Sequence, residues 1–72
     1  MAVTLYTRDG CGYCAAIEKE LLAAGKAFRV INVDKNPERI PELLKISAGR
    51  RVVPVLVDGS RIAVAPRGGT NF

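Results

Sequence analysis

One stretch decides the fold of this 72-residue chain and holds both of its cysteines: residues 3–14, VTLYTRDGCGYC. Residues 3–7 are mostly β-branched, aromatic or aliphatic, a composition that predicts a strand. A turn follows at residues 8–10, and from Gly12 the apolar residues recur with the period of a helix. We therefore expect a strand that delivers Cys11 and Cys14 to the first turn of a helix.

The spacing of the two cysteines predicts a dithiol redox site. The positive end of a helix that begins here should lower the pKa of Cys11, and the thiolate is the nucleophile in disulfide exchange. An offset of three residues places both sulfurs on one face of the first turn, where Cys14 can displace a mixed disulfide from Cys11. We expect Cys11 to attack and Cys14 to resolve.

Two other roles for the cysteine pair are less favoured. A structural zinc ion needs four ligands, whereas the chain has no histidine and no second cysteine pair, so we expect no metal site. A purely structural disulfide between residues 11 and 14 would close a loop too small to remove much entropy from the unfolded chain.

Composition and charge exclude several classes of protein. With 49% hydrophobic and 25% charged residues, the chain is an ordinary globular sequence, and we expect one domain over residues 1–72. The net charge is +4, but only Arg50 and Arg51 are adjacent and no aromatic residues interleave with the basic ones, so we expect no nucleic-acid partner. No apolar run is long enough to cross a membrane, so we expect no membrane partner. The start lacks a secretory signal, which predicts a cytoplasmic location.

The rest of the chain alternates between strand and helix patterns. Residues 28–33 predict a second strand, parallel to the first because a helix lies between them. Asn36 and Pro37 predict the cap and first position of a helix. Asp58-Gly59 predicts a hairpin turn. The predicted strands are at 3–7, 28–33, 52–57 and 61–65. The predicted helices run from Gly12 to a left-handed cap at Gly25 and from Pro37 to Ile46. The buried stripe of the first helix is expected to contain Cys14, Ile17, Leu21 and Leu22, with Ala24 as a further candidate.

Two prolines disturb these patterns. Pro41 removes a helix donor, so the second helix should be irregular until residues 42–46. Pro54 falls inside the strand at 52–57, where a proline needs a special reason because it cannot donate to the sheet. The order of elements is β-α-β-α-β-β, with the first strand inside the sheet, and a glycine-rich tail follows at residues 66–72.

From about Val3 to Ala65 the chain resembles the glutaredoxin family. Residues 11–14, CGYC, are similar to its active site, with glycine where proline is commoner and Tyr13 in the aromatic position. Val53-Pro54 is similar to the family's Val-Pro, whose peptide bond is cis and lies beside the active cysteine. The resemblance implies an α/β, thioredoxin-like fold with a four-stranded mixed sheet, truncated at the carboxyl end because the family's third helix has no counterpart here.

The same resemblance implies glutathione as co-substrate, with no covalently bound cofactor. Arg8 stands where a basic residue of the family meets a glutathione carboxylate, and Arg50 or Arg51 lies near the second such position. In the family the backbone at Val53 hydrogen-bonds the cysteinyl part of glutathione. A glycine pair that cradles the γ-glutamyl group arrives late, at residues 68–71. The implied glutathione contacts are Arg8, Tyr13, Arg50, Arg51, Val53, Pro54, Gly69, Thr70 and Asn71.

We therefore expect a glutathione-dependent dithiol oxidoreductase that reduces protein or glutathione mixed disulfides in cell redox homeostasis and electron transport. Its partners would be glutathione and disulfide-containing proteins, and we expect a monomer, with a dimer left open. Two alternatives stay open: a redoxin recharged by thioredoxin reductase, and a carrier that shares an iron-sulfur cluster between two subunits with glutathione as co-ligand.

The missing third helix should leave part of one sheet face bare. Ile62 and Val64, or their alternating neighbours, would then be exposed, covered by the tail or buried by a second subunit. We favour cover by residues 66–72, with Phe72 as the anchor.

Overall fold

The computed structural model describes residues 3–72, in which one sheet of four strands separates two helices. The elements in chain order are β1 (Val3–Thr7), α1 (Gly12–Ala23), β2 (Phe28–Asn32), a 3-10 turn (Pro37–Arg39), α2 (Ile40–Ile46), β3 (Val52–Val53), β4 (Val55–Asp58), β5 (Arg61–Val64) and β6 (Thr70–Asn71).

The main sheet has the strand order β2-β1-β4-β5. β1 pairs parallel to β2 and antiparallel to β4, and β4 pairs antiparallel to β5. These pairings confirm the predicted four-stranded mixed sheet, its inner first strand and the hairpin at Asp58-Gly59. Because β1 is an inner strand, the cysteines that follow it lie at the end of the sheet where β1 terminates and away from its two edge strands.

Side chains alternate between two apolar clusters because successive residues of a strand point to opposite faces. Leu5 belongs to a cluster with Ile17 and Leu21 of α1. Tyr6 belongs to the other cluster, which includes Leu43 of α2. Cys11 and Cys14 are members of this second cluster, together with Val33, Val53 and Val55.

Helix α1 ends as predicted at a left-handed glycine. Gly25 has φ +69°, its N–H donates to the Leu22 carbonyl and the Lys26 N–H donates to the Leu21 carbonyl, which satisfies carbonyls at the helix end. The prediction that Leu22 lies on the buried stripe is wrong, because this side chain is 69% exposed, and the further candidate Ala24 is exposed as well. Successive residues of a helix are rotated by about 100°, so Leu22 points toward solvent when Cys14, Ile17 and Leu21 form the buried stripe.

The predicted strand at residues 52–57 is two strands. The Val53-Pro54 bond is cis, as predicted, and Pro54 has no N–H to donate to a ladder. β3 before the proline pairs with β6, whereas β4 after it pairs with β1 and β5. A second sheet of two strands therefore branches from the first at Pro54.

The start of the second helix also differs from the prediction. The side chain of Asn36 makes no capping hydrogen bond to a described residue. Its Nδ2 donates instead to the Asn32 carbonyl at 3.0 Å. The 3-10 turn at Pro37–Arg39 precedes the α-helix, which confirms the predicted irregularity before residues 42–46. Pro41 stands in the first turn of α2, where a missing N–H costs no hydrogen bond.

The tail contains a strand that the residue pattern does not predict. After a turn with Ala65 at φ +47°, β6 returns along β3 with Val52 opposite Asn71 and Val53 opposite Thr70. Phe72 and Val64 pack at the margin of the cluster that contains Tyr6, so Phe72 is an anchor. Ile62 remains 47% exposed, which makes the prediction of its cover wrong. Within residues 3–72, no helix has the length and apolarity needed to cross a membrane.

Candidate active site

Cys11 is the N-cap of α1, and its sulfur faces the start of the helix. Its backbone is extended (φ −89°, ψ 104°), as an N-cap requires, and the Cys14 N–H donates to its Sγ at 3.1 Å. The two cysteines are joined in a disulfide, with their Cα atoms 5.2 Å apart. Residues 12–15, GYCA, bring no acidic side chain to this turn. An N–H donor and the positive helix end therefore both favour negative charge on Cys11 Sγ when the disulfide is reduced.

Both cysteines lie beneath the surface. Cys11 is 7% exposed and Cys14 is 3% exposed. A cavity of about 430 Å³ opens beside them and is lined by the end of β1, the first turns of α1 and part of β2. Its polar lining is Thr7, Arg8, Asp9, Glu18 and Asn32, and both cysteines border it.

Arg8 connects two segments that are distant in sequence. Its Nη1 donates to the Asn71 carbonyl at 2.9 Å. Its Nε lies 3.5 Å from an Asp34 carboxylate oxygen, where it makes an ion pair but no hydrogen bond with a described residue. The side chain predicted to meet a glutathione carboxylate is thus placed beside the motif, with two partners of its own.

The turn before Cys11 is held by polar residues that the motif pattern did not single out. Asn32 donates from Nδ2 to the Asp9 carboxylate at 2.8 Å, and its Oδ1 accepts from the Asp34 N–H at 2.9 Å. The Asp34 carboxylate accepts from the Asp9 N–H at 3.0 Å. An Asn and an Asp just after a strand are the available sequence signal, because such side chains favour turns.

Val53 is fully paired with the tail. The Phe72 N–H donates to the Arg51 carbonyl, so Arg51 and Phe72 face each other as a hydrogen-bonded pair. The register places Val53 opposite Thr70, which is two residues further along each strand of this antiparallel ladder. Hydrogen-bonded pairs alternate in such a ladder, so Val53 and Thr70 exchange both of their backbone hydrogen bonds. Val53 is 0% exposed. The backbone predicted to bind a cysteinyl group is occupied by Thr70.

Glycine is required where the tail crosses this edge. A Cβ added at Gly69 would lie 2.7 Å from the Val53 carbonyl oxygen and 2.7 Å from Val52 Cγ2. A Cβ added at Gly68 would lie 2.9 Å from the Tyr13 ring. The two glycines therefore let the tail lie directly against the strand edge and against the aromatic residue of the motif.

The two adjacent arginines have different surroundings. Arg51 Nε donates to the Phe72 oxygen at 2.9 Å, and its guanidinium carbon lies 4.9 Å from the centre of the Phe72 ring. Arg50 is exposed, and its side chain makes no hydrogen bond or ion pair among residues 3–72. The side chain of Arg51 thus contacts the tail, whereas the side chain of Arg50 lies in solvent.

A buried tyrosine beneath the site was also missed. The Tyr6 hydroxyl donates to a Glu42 carboxylate oxygen at 2.5 Å and joins β1 to α2. Burial, followed by the hydrogen bond and charge of Glu42, raises the pKa of Tyr6 to about 12. Tyr6 is therefore a neutral donor in the same cluster as both cysteines. In the sequence it is indistinguishable from an ordinary strand residue.

No group of three or more His, Cys, Asp or Glu side chains in the described part of the chain is arranged to hold a metal ion. The chemistry available from residues 3–72 is that of the two sulfurs, the helix start and the basic side chains around them.

Comparison with known proteins agrees with this geometry. Glutaredoxin-like protein NrdH of Escherichia coli K12 is 37% identical over 59 residues, which cover 82% of this chain and 70% of that protein. The solved structure of NrdH-redoxin from Escherichia coli has a TM-score of 0.75 and 36% identity, covering 89% of this chain and 82% of that one. A glutaredoxin from Archaeoglobus fulgidus has a TM-score of 0.80 and 31% identity, covering 99% and 78%.

The fold and the site define a mixed α/β protein of thioredoxin-like fold with a cysteine pair at the start of its first helix. The glutaredoxin family model matches residues 3–62. The chain belongs to the glutaredoxin family. Membership of this family and the pair Cys11 and Cys14 together indicate a thiol-disulfide oxidoreductase.

Proposed function

We propose that the chain is a cytoplasmic dithiol reductant of protein disulfides, in which Cys11 attacks and Cys14 resolves. The observation that carries this proposal is the N-cap position of Cys11, with the Cys14 N–H 3.1 Å from its sulfur. A thiolate at this position is favoured by the donor and by the helix end, and the thiolate is the attacking species. A dithiol reductant works in a reducing compartment.

The reaction consists of two thiol-disulfide exchanges. The Cys11 thiolate attacks one sulfur of the substrate disulfide, whose S–S bond breaks, and the other substrate sulfur leaves as a thiolate and takes up a proton. The deprotonated Cys14 then attacks the Cys11 sulfur of the mixed disulfide and releases the second substrate thiol. Two electrons and two protons pass from the dithiol to the substrate, and the Cys11–Cys14 disulfide remains.

We further propose that thioredoxin reductase, and not glutathione, reduces this disulfide. The relative NrdH-redoxin is described as having a thioredoxin-like activity profile. In this chain the groups expected to bind glutathione are already engaged: Arg8 with Asp34 and Asn71, and the Val53 backbone with Thr70. A bound tripeptide would have to replace these contacts before it gained any of its own.

The test supplies the oxidised protein with two electron sources and insulin as the protein disulfide. One reaction contains NADPH and thioredoxin reductase, and the other contains NADPH, glutathione reductase and millimolar glutathione. We expect turnover with thioredoxin reductase and at least about tenfold slower turnover with glutathione, a difference of about 1.4 kcal/mol in activation free energy. NADPH consumption measures both rates.

Two controls decide what a failure means. The variant Cys11→Ser should be inactive with both electron sources, because it lacks the attacking sulfur. Equal or faster turnover with glutathione would establish the glutathione-dependent enzyme that the family resemblance implies. No insulin reduction with either source, nor with the protein reduced in advance, would show that the chain is not a reductant of protein disulfides.

A further inference from the structure

The strand β6 (Thr70–Asn71) occupies the edge of β3, where Thr70 lies opposite Val53. The ladder register makes Val53 and Thr70 a hydrogen-bonded pair, and Val53 shares one apolar cluster with Cys11 and Cys14. The segment that flanks a cysteine in a substrate protein also carries unpaired backbone donors and acceptors. A strand edge satisfies such a segment by adding it as a new strand, and only one strand can occupy the edge.

We propose that β6 is a displaceable strand that selects substrates by size: an extended segment of a protein displaces it from Val53, and glutathione does not. This inference rests on the redox function proposed above and adds to it the class of molecule that the site accepts. The tail segment Gly68–Phe72 is then a specificity element of the active site.

The contacts that hold the tail explain why a small ligand competes poorly. Asn71 accepts from Arg8 and Phe72 accepts from Arg51, so the tail uses donors from two cations that an anionic tripeptide would need. The Phe72 ring also lies 4.9 Å from the Arg51 guanidinium. Glutathione would have to replace all of these contacts with three residues. A protein adds contacts across a much larger interface, which offsets the loss of the tail.

The tail is nevertheless weakly enough held to be exchanged. β6 has two residues, and the hydrogen bonds from Arg8 and Arg51 that fasten it lie at the exposed surface. Short elements with solvent-exposed hydrogen bonds open locally at a small fraction of the global unfolding free energy. Release of Gly68–Phe72 does not require the main sheet to open, because β6 pairs only with β3 among the described strands.

Two substitutions release the tail by different routes. Gly69→Ala puts a methyl group 2.7 Å from the Val53 carbonyl oxygen, so the tail must move away from the strand edge. Thr70→Pro removes the N–H that donates to the same carbonyl. The matched control is Phe28→Leu, on the edge strand β2 and in the other apolar cluster, which loosens the fold without touching the tail.

The first measurement is the rate at which glutathione reduces the Cys11–Cys14 disulfide, followed by alkylation of the freed thiols. A glutathione thiolate attacks one protein sulfur and breaks the Cys11–Cys14 bond. A second glutathione thiolate attacks the glutathionyl sulfur of the mixed disulfide, so glutathione disulfide leaves and the two protein thiolates take up protons. We expect Gly69→Ala and Thr70→Pro to raise this rate about tenfold, whereas Phe28→Leu should leave it unchanged. If glutathione reduces Gly69→Ala no faster than Phe28→Leu, the tail does not exclude glutathione.

The second measurement follows the exchange itself in the folded full chain. Cys14→Ser is trapped as a mixed disulfide with the isolated insulin B chain, a long peptide substrate, and amide hydrogen exchange is compared with the free variant. Displacement predicts that the Thr70 amide loses protection while the Val53 amide, now paired with the peptide, keeps it. Protection retained at Thr70 would overturn the proposal. This readout needs no electron donor, so failure of the insulin assay alone would reject the proposed function and leave this result standing.

Discussion

The first turn of α1 carries the disulfide, and the strand β6 pairs with Val53 of the same apolar cluster, yet the two regions are held in different ways. The turn is fixed by neighbours in sequence, since Cys11 accepts from the N–H three residues later. The tail is fixed by distant partners: Arg8 is 63 residues from Asn71, and Arg51 is 21 residues from Phe72. The reactive centre is thus built from local interactions, whereas its accessibility depends on contacts that form only when the whole chain has folded.

This difference has a physical consequence for the two regions. Local helix contacts cost little loop-closure entropy, whereas the tail contacts must offset the closure of a long loop. The N-cap of α1 should therefore persist when the tail detaches. Chemistry and substrate selection can then change independently of one another, and the substitutions below separate them.

The largest expected effect is at the sulfurs. Cys11→Ser should abolish exchange, because serine keeps the N-cap but removes the attacking thiolate. Cys14→Ser should still attack and should accumulate mixed disulfides, because only the resolving step is lost. Alkylation of the reduced protein as a function of pH, read by mass spectrometry, identifies the reactive thiol. Preferential modification of Cys14 at low pH would reverse the assignment of roles.

Removal of the tail should have the next largest effect, on stability. Deletion of Gly68–Phe72 removes the β3–β6 pairing and the Phe72 contacts, and we expect a loss of about 2 kcal/mol, or about 8–16 °C in Tm. Phe72→Ala is the matched control, since it removes the ring and keeps the backbone pairing; it should cost about half as much. An unchanged Tm on deletion would show that the tail adds nothing to the fold.

The same division explains what could be read from the sequence. Local signals that act over a few residues predict the cysteine motif, α1 with its cap at Gly25, and the order of the strands along the chain. Leu22 was misplaced because a leucine beside a leucine does not reveal which of them faces the sheet. β6 was missed because Thr70 and Asn71 carry no strand pattern, and only the edge exposed at Pro54 gives them a partner.

The candidate site divides along the same line. Cys11 and Cys14 can be chosen from their spacing, whereas Arg8 and Tyr13 were chosen because the seven residues from Arg8 to Cys14 resemble the family motif. The contacts of Arg8 cannot be predicted from the sequence, because its partners Asp34 and Asn71 come from other segments. The hydrogen bond from Asn32 to Asp9 could not be predicted for the same reason. A sequence can therefore nominate a charged side chain for ligand binding without revealing that the fold already uses it.

The hydrogen bond between Tyr6 and Glu42 is a long-range contact between β1 and α2 that includes no residue of the tail. Its pKa is raised to about 12, chiefly by burial and then by Glu42. The protonated tyrosine is thus favoured in the folded state, so its stabilisation is complete below pH 10 and declines between pH 10 and 12. At pH 11 the loss should be about 1.4 kcal/mol. Urea unfolding of a protein with both cysteines replaced by serine measures it without disulfide exchange.

Two variants separate the causes of that decline. Tyr6→Phe should remove this component of the alkaline decline, because phenylalanine has no proton to lose. Glu42→Gln keeps an oxygen acceptor but removes its charge, so the decline should become smaller and not vanish, since burial remains. An alkaline decline of the same size in Tyr6→Phe and in the parent would assign the effect to other groups.

The smallest predicted effect compares the two helix ends. Both helices close with a left-handed residue, Gly25 at φ +69° after α1 and Ala48 at φ +57° after α2. The Gly49 N–H donates to the Leu44 carbonyl, as the Lys26 N–H does to Leu21, so the two caps share one geometry. Alanine in this conformation costs about 1–2 kcal/mol, and glycine costs about 0.5–1 kcal/mol in unfolded-state entropy.

Ala48→Gly should therefore stabilise the protein by about 0.5–1 kcal/mol, and Gly25→Ala should destabilise it by a similar amount. The second variant is a clean test of backbone strain, because a Cβ at Gly25 would meet no atom within 4 Å. Urea unfolding of both variants at neutral pH gives the two values. Changes of the same sign would mean that packing, and not the left-handed backbone, determines stability at these ends, and the local rules that predicted the cap of α1 would not extend to α2.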